Sequence, residues 1–305
     1  MKRILAYLYL PLAALYLYLS VVFPTDQATI ARRHLSLAQA RLVSLSVAIP
    51  LLVIWLLAFY GAYRLKRYSV SIRKHADGPP FMQLAMGMWL LAVYLPVQLV
   101  GRALLHTLTR SHPDALTAAN IVLTYVGLGL LLEAFIFVSH AARGLAELAK
   151  VKSSLRAVYG MALVFIGLSV LYGHVAFTTH GHIPPSNWLV ASQQSIPLLL
   201  RVVTVMVPYL FMWFIGLLAV YELWLYQRQV TGVFYRQTLR LLSAGLVSVV
   251  LVTIGIQFAI ATAATLQTLR FRFVLLLVYT LIVLLGVAFV LLGRGVRRLE
   301  QLDKA

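Results

Sequence analysis

Eight long apolar runs, separated by short polar segments, leave this chain few ways to fold. They lie near 4–23, 43–63, 83–105, 119–142, 157–177, 197–225, 241–265 and 272–293. About 20 apolar residues, rising about 1.5 Å each, span a bilayer core of about 30 Å. In lipid every backbone N–H and C=O needs a partner, and an isolated strand leaves its own unpaired. The pattern predicts an all-α polytopic bundle of eight transmembrane helices, forming a single integral membrane domain over 1–305. Composition agrees. The chain is 62% hydrophobic and 11% charged, whereas a soluble domain carries about 25% charged residues. The first run follows a short basic head and has no clear small-residue cleavage site. It reads as a retained span, not a signal peptide.

Lys and Arg number 26 against 8 Asp and Glu, a net charge of +18. In a water-soluble chain that excess points to nucleic acid. Here the basic residues flank the apolar runs, so they read as topology signals and contacts for anionic lipid headgroups, and no nucleic acid is expected. With the N-terminus inside, the inner segments hold 18 Lys and Arg and the outer segments 8. The positive-inside rule and the even number of spans then agree on two cytoplasmic termini. The expected setting is a prokaryotic cytoplasmic membrane. Three basic segments, 64–74, 143–156 and 294–305, are candidate sites for a protein partner. Segment 143–156 is expected to continue the fourth span as a basic amphipathic helix, and 294–305 to do the same after the eighth. The absence of Cys excludes disulfides, thiolate metal sites and a Cys nucleophile.

Glu133 lies well inside the fourth apolar run. Ionisable groups at membrane depth are costly, usually face protein, and mark proton or ion paths by default. Arg102 and Arg201 fall near the outer ends of their spans, where they either snorkel to headgroups or form an anion clamp. Gln98, one turn from Arg102, gives the third span a polar stripe. Gln257 reads as a helix–helix hydrogen bond and Glu222 as an interfacial residue. Pro11, Pro50, Pro96 and Pro208 sit inside apolar runs and offer bends or hinges.

Six of the eight histidines, His34, His106, His112, His174, His180 and His182, fall outside on this topology. His174, His180, His182 and His112, with Asp114, are the candidate ligands for a transition metal at the outer face, or for a proton-sensing group. Two-residue spacing alone is a weak motif, since dedicated sites need three or four converging ligands. Haem is disfavoured, because His140 lies near the inner end and His106 and His174 near the outer. No phosphate loop, zinc-protease motif or nucleophile elbow is present, and nothing calls for an embedded enzyme.

One internal echo stands out. Pro50 and Trp55 in the second span repeat as Pro208 and Trp213 in the sixth, with equal spacing. A nearby Leu-Leu-Ala-x-Tyr match is three residues out of register. Aromatic-rich spans produce such matches by chance, but so does a duplicated four-helix unit of the kind found in transporters. The readings this leaves are a non-catalytic sensor or receptor module with an outer-face site, a secondary transporter or permease using Glu133, and an accessory subunit of a larger membrane complex.

Overall fold

The computed structural model describes residues 2–22, 36–108, 113–150, 155–178, 207–230, 232–261 and 271–302. Eight helices account for nearly all of them: α1 (Lys2–Val22), α2 (Leu37–Ser71), α3 (Gly78–Leu108), α4 (Pro113–Leu148), α5 (Leu155–Thr178), α6 (Val207–Gln229), α7 (Val233–Ala261) and α8 (Phe271–Leu302). Each apolar run of the sequence falls on one of them, as far as the described residues reach. Six carry stretches long and apolar enough to cross a membrane, and α1 and α5 carry shorter ones at Tyr9–Val22 and Val158–Tyr172. Large apolar side chains such as Leu42, Val53, Leu163, Val170, Leu251 and Leu276 are more than half exposed on the outside of the bundle. Such a surface suits lipid, and the chain is a polytopic helical membrane protein.

Local chemistry sets several boundaries. Ser36 caps α2 by accepting from the Gln39 N–H, while the Gln39 side chain accepts from the Ser36 N–H, a reciprocal capping box. The turn before α3 closes through the His75 N–H donating to the Ile72 carbonyl and the Gly78 N–H to the His75 carbonyl. Pro11, Pro50 and Pro96 lie inside helices that continue through them. Segment 143–156 differs from its expected form. α4 stops at Leu148, and Lys150 has φ of 53°, a left-handed conformation that ends a helix. By contrast α8 runs without a break through Arg294, Arg297 and Arg298 to Leu302.

Packing follows a regular order. α2, α3, α4, α6, α7 and α8 form a ring, each against the next, and α8 returns to α2. α1 lies outside against α2 and α3, and α5 lies outside against α6 and α7. Renaming α1–α4 as α5–α8 reproduces every one of these contacts. The chain is two copies of one four-helix plan, and the Pro–Trp echo is its sequence trace.

Residue detail supports that equivalence. At the offset that places Trp55 on Trp213, Ile54, Ala58, Gly61, Leu65, Tyr68 and Ser69 of α2 fall on Met212, Gly216, Ala219, Leu223, Tyr226 and Gln227 of α6, and all are buried. Trp55 and Trp213 are each 1% exposed. Each meets a Tyr of its side helix: Tyr9 of α1 at 4.9 Å and Tyr172 of α5 at 5.3 Å between ring centres. At the opposite ends, Tyr68 meets Phe81 and Tyr226 meets Tyr235 edge to face, with planes 88° and 85° apart, the two partner rings standing one turn apart in register. In α4 and α8 the matched pairs include Leu131/Leu285, Ala134/Ala288, Phe135/Phe289, Arg143/Arg297 and Leu145/Leu299. Gly87 brings α3 onto the Ala134 carbonyl, and Gly245 brings α7 onto the Ala288 carbonyl; a Cβ at either would lie 2.8 or 3.0 Å from that oxygen. Small residues permit this approach, which membrane helices use in place of a hydrophobic drive.

Candidate functional site

A half-open cavity of about 260 Å³ lies within the ring where the two halves meet. Every ring helix contributes to its wall. The liners come largely in equivalent pairs: Leu51 and Tyr209, Leu91 and Val249, Tyr94 and Val252, Leu95 and Thr253, Leu131 and Leu285. The wall is thus mostly hydrocarbon. Tyr94, Tyr209, Gln98 and Thr253 supply its polar groups.

Gln98 is the most committed of these. It is 8% exposed, and its Nε2 donates to the Leu123 carbonyl of α4 at 2.9 Å. Gly127 makes that reach feasible, since a Cβ there would lie 2.0 Å from Nε2. The bond ties α3 to α4 and fixes the amide plane. Oε1 has no hydrogen-bond donor among the described residues. Thr253 turns its hydroxyl onto the Val250 carbonyl of its own helix at 2.7 Å. A carboxamide, a hydroxyl, two phenols and alkyl groups suit a neutral, compact, mainly apolar guest. An apolar cavity of about 150 Å³ already admits benzene.

Of the described residues singled out by sequence, Gln98 alone lines this cavity. Glu133 sits on α4 facing outward and is exposed. It is two residues past Leu131, and at 3.6 residues per turn that places it on the opposite side of the helix from the wall. The expectation that this carboxyl faces protein is not met within the chain. Arg102 belongs to α3 and Asp114 to α4, but the side chains of both lie outside the described residues, as does that of Gln257. Arg201, His112, His180 and His182 lie outside the described residues altogether, and His174 is exposed near the end of α5. Among the described residues no three His, Cys, Asp or Glu come together as a metal site.

Glu222, expected near the interface, lies toward the end of α6 beside an exposed ion pair of α4. It is half-buried in α6, and its Oε2 has no hydrogen-bond partner among the described residues. It faces Arg143 and Glu147 of α4, which pair with each other at 2.9 Å. Its equivalent in α2 is Arg64, so the two matched interfaces carry opposite charge there. The Arg143–Glu147 pair is exposed and contributes about 0.3–0.5 kcal/mol at most.

Sequence reasoning missed the apolar liners and Tyr94, Tyr209 and Thr253. The signal that finds them is the repeat register, which pairs Leu51 with Tyr209 once Trp55 is set on Trp213. Comparison with protein-family models, curated proteins and solved structures gives no match.

Proposed function

We propose that this protein is a non-catalytic, membrane-embedded receptor for a small, neutral, mainly apolar molecule, held in the cavity between its two four-helix halves. The observation that carries this reading is the half-open space of about 260 Å³ walled by matched residues of both halves. Binding at a repeat interface is the arrangement that duplicated membrane bundles favour. Gln98 supplies specificity. With Nε2 held by Leu123, its Oε1 accepts from one donor on the guest. The unbroken α8, basic from Arg294 onward, is a route from the cavity wall at Leu285 and Phe289 to a cytoplasmic partner.

Indole tests this, being compact, apolar and equipped with one N–H donor. In lipid nanodiscs it should raise the unfolding temperature of the full chain saturably. A ligand at ten times its Kd adds about 1.4 kcal/mol. Gln98→Leu should weaken the effect several-fold while leaving the chain folded. No shift at any indole concentration would contradict the reading.

A carrier is the second reading, supported by the same parallel repeats around one cavity. It predicts release of preloaded indole from proteoliposomes faster than from protein-free vesicles, beyond the leak of indole itself through lipid. On this reading the path runs past Gln98 and not past Glu133. The outer-face metal or proton site of His174, His180, His182, His112 and Asp114 is a separate proposal. Metal analysis of the His180→Ala, His182→Ala double variant tests it, and unchanged metal content would end it.

A further inference from the structure

The two halves provide an internal control for what each outer face is built to meet. The outward stripe of α8 reads Leu276, Thr280, Val283, Val287, Val290 and then Arg294. Val283 is 62% exposed and Val287 46%. That is a surface made for lipid. The equivalent stripe of α4 reads Val122, Val126, Gly129, Glu133, Ile136 and His140. In the same position of the same fold, Val283 has become Gly129 and Val287 has become Glu133.

Glu133 cannot escape to water. Toward the C-terminal end the next charged residue is Arg143, ten residues or about 15 Å along the axis. Toward the N-terminal end the next is Asp114, nineteen residues or about 28 Å away. A glutamate side chain reaches only a few ångströms, against a hydrocarbon core of about 30 Å. Among the described residues none hydrogen-bonds or ion-pairs with its carboxylate. Bare exposure to lipid is costly for such a group. One turn away, Gly129 leaves the α4 backbone open: a Cβ built there meets nothing within 4 Å. An acid at mid-depth beside a backbone notch is a surface for another helix.

We propose that the outward face of α4 docks a transmembrane helix of another protein that carries a lysine or arginine at mid-bilayer depth. The basic group pairs with Glu133, and the partner backbone packs against Gly129. Charge selects this occupant over a second copy of the chain. A two-fold pair about the membrane normal would set α4 against α4, acid against acid, with His140 two turns from either carboxylate. The site is separate from the central cavity, so docking leaves that cavity accessible.

The test uses the full chain in lipid nanodiscs with synthetic twenty-residue polyleucine helices, capped by polar ends and labelled for energy transfer. One has a central lysine, one has leucine there, and one has lysine near an end. The central-lysine helix should associate at least tenfold more tightly than the other two. Glu133→Leu should remove that preference without lowering the unfolding temperature, because the side chain packs against nothing in the chain. Equal association of all three helices, or a preference that survives Glu133→Leu, would overturn the proposal. The natural absence of Cys allows a second check. Val126→Cys, two turns from Glu133 on the same face, should stay monomeric under mild oxidation at high lipid dilution. A disulfide-linked dimer there would assign the face to a second copy and reject the basic helix.

Discussion

Single atoms decide what the central cavity accepts. Gln98 is held by one hydrogen bond that exists only because position 127 has no Cβ. Gly127→Ala should therefore displace the amide, break the Leu123 contact and destabilise the chain by about 1–3 kcal/mol, the usual range for overpacking. Gln98→Leu removes the bond without a clash and should cost only about 0.6–1.7 kcal/mol, the range for interhelical hydrogen bonds in membranes. Denaturant unfolding in mixed micelles would measure both, and equal losses would contradict the steric account. At this scale the sequence was half readable. Gln98 and Glu133 stand out because polar groups in apolar runs are costly wherever they point. Their directions did not follow, because facing depends on which neighbours a helix has. Gln98 turned inward to Leu123, while Glu133 turned outward from a helix whose other side is full.

Elements in this bundle are best understood in pairs. α2 and α6 present Trp55 and Trp213 to equivalent places, each against a tyrosine of its side helix. Both indoles are almost fully buried, so Trp55→Ala and Trp213→Ala should each cost about 3–5 kcal/mol. Comparable losses are expected, and protease sensitivity should rise at α1 in the first variant and at α5 in the second. A severe loss at one site and none at the other would break the equivalence. The helices themselves were legible from apolar length alone, since lipid leaves the backbone no alternative. Their ends were less so. The basic residues from Arg143 to Arg156 look amphipathic, but the left-handed turn at Lys150 cuts that pattern after Leu148. Nothing in the local composition distinguishes it from the end of α8, which continues. Ring order was also hidden, because it rests on small-residue approaches such as Gly87 to Ala134 that carry no periodic signal.

For the whole molecule, the proposed eight-span topology puts both termini on one side, and the Lys and Arg excess proposes the cytoplasm as that side. Reporter tags at the two ends should both read cytoplasmic, and opposite readings would contradict the eight-span topology. The duplication was visible in sequence only at Pro50, Trp55, Pro208 and Trp213, because lipid-facing positions accept almost any apolar residue. Burial pattern preserves what identity has lost. The account stands most directly on one shared cavity, and a matched pair of substitutions tests it. Leu131→Trp and Leu285→Trp place equal bulk on its wall from opposite halves, while Val287→Trp adds the same bulk to an outward face. Indole titrations in nanodiscs should show both cavity variants losing binding together, at least tenfold, with Val287→Trp unchanged. Loss in only one of the pair, or in neither, would contradict a single site built by two equivalent halves.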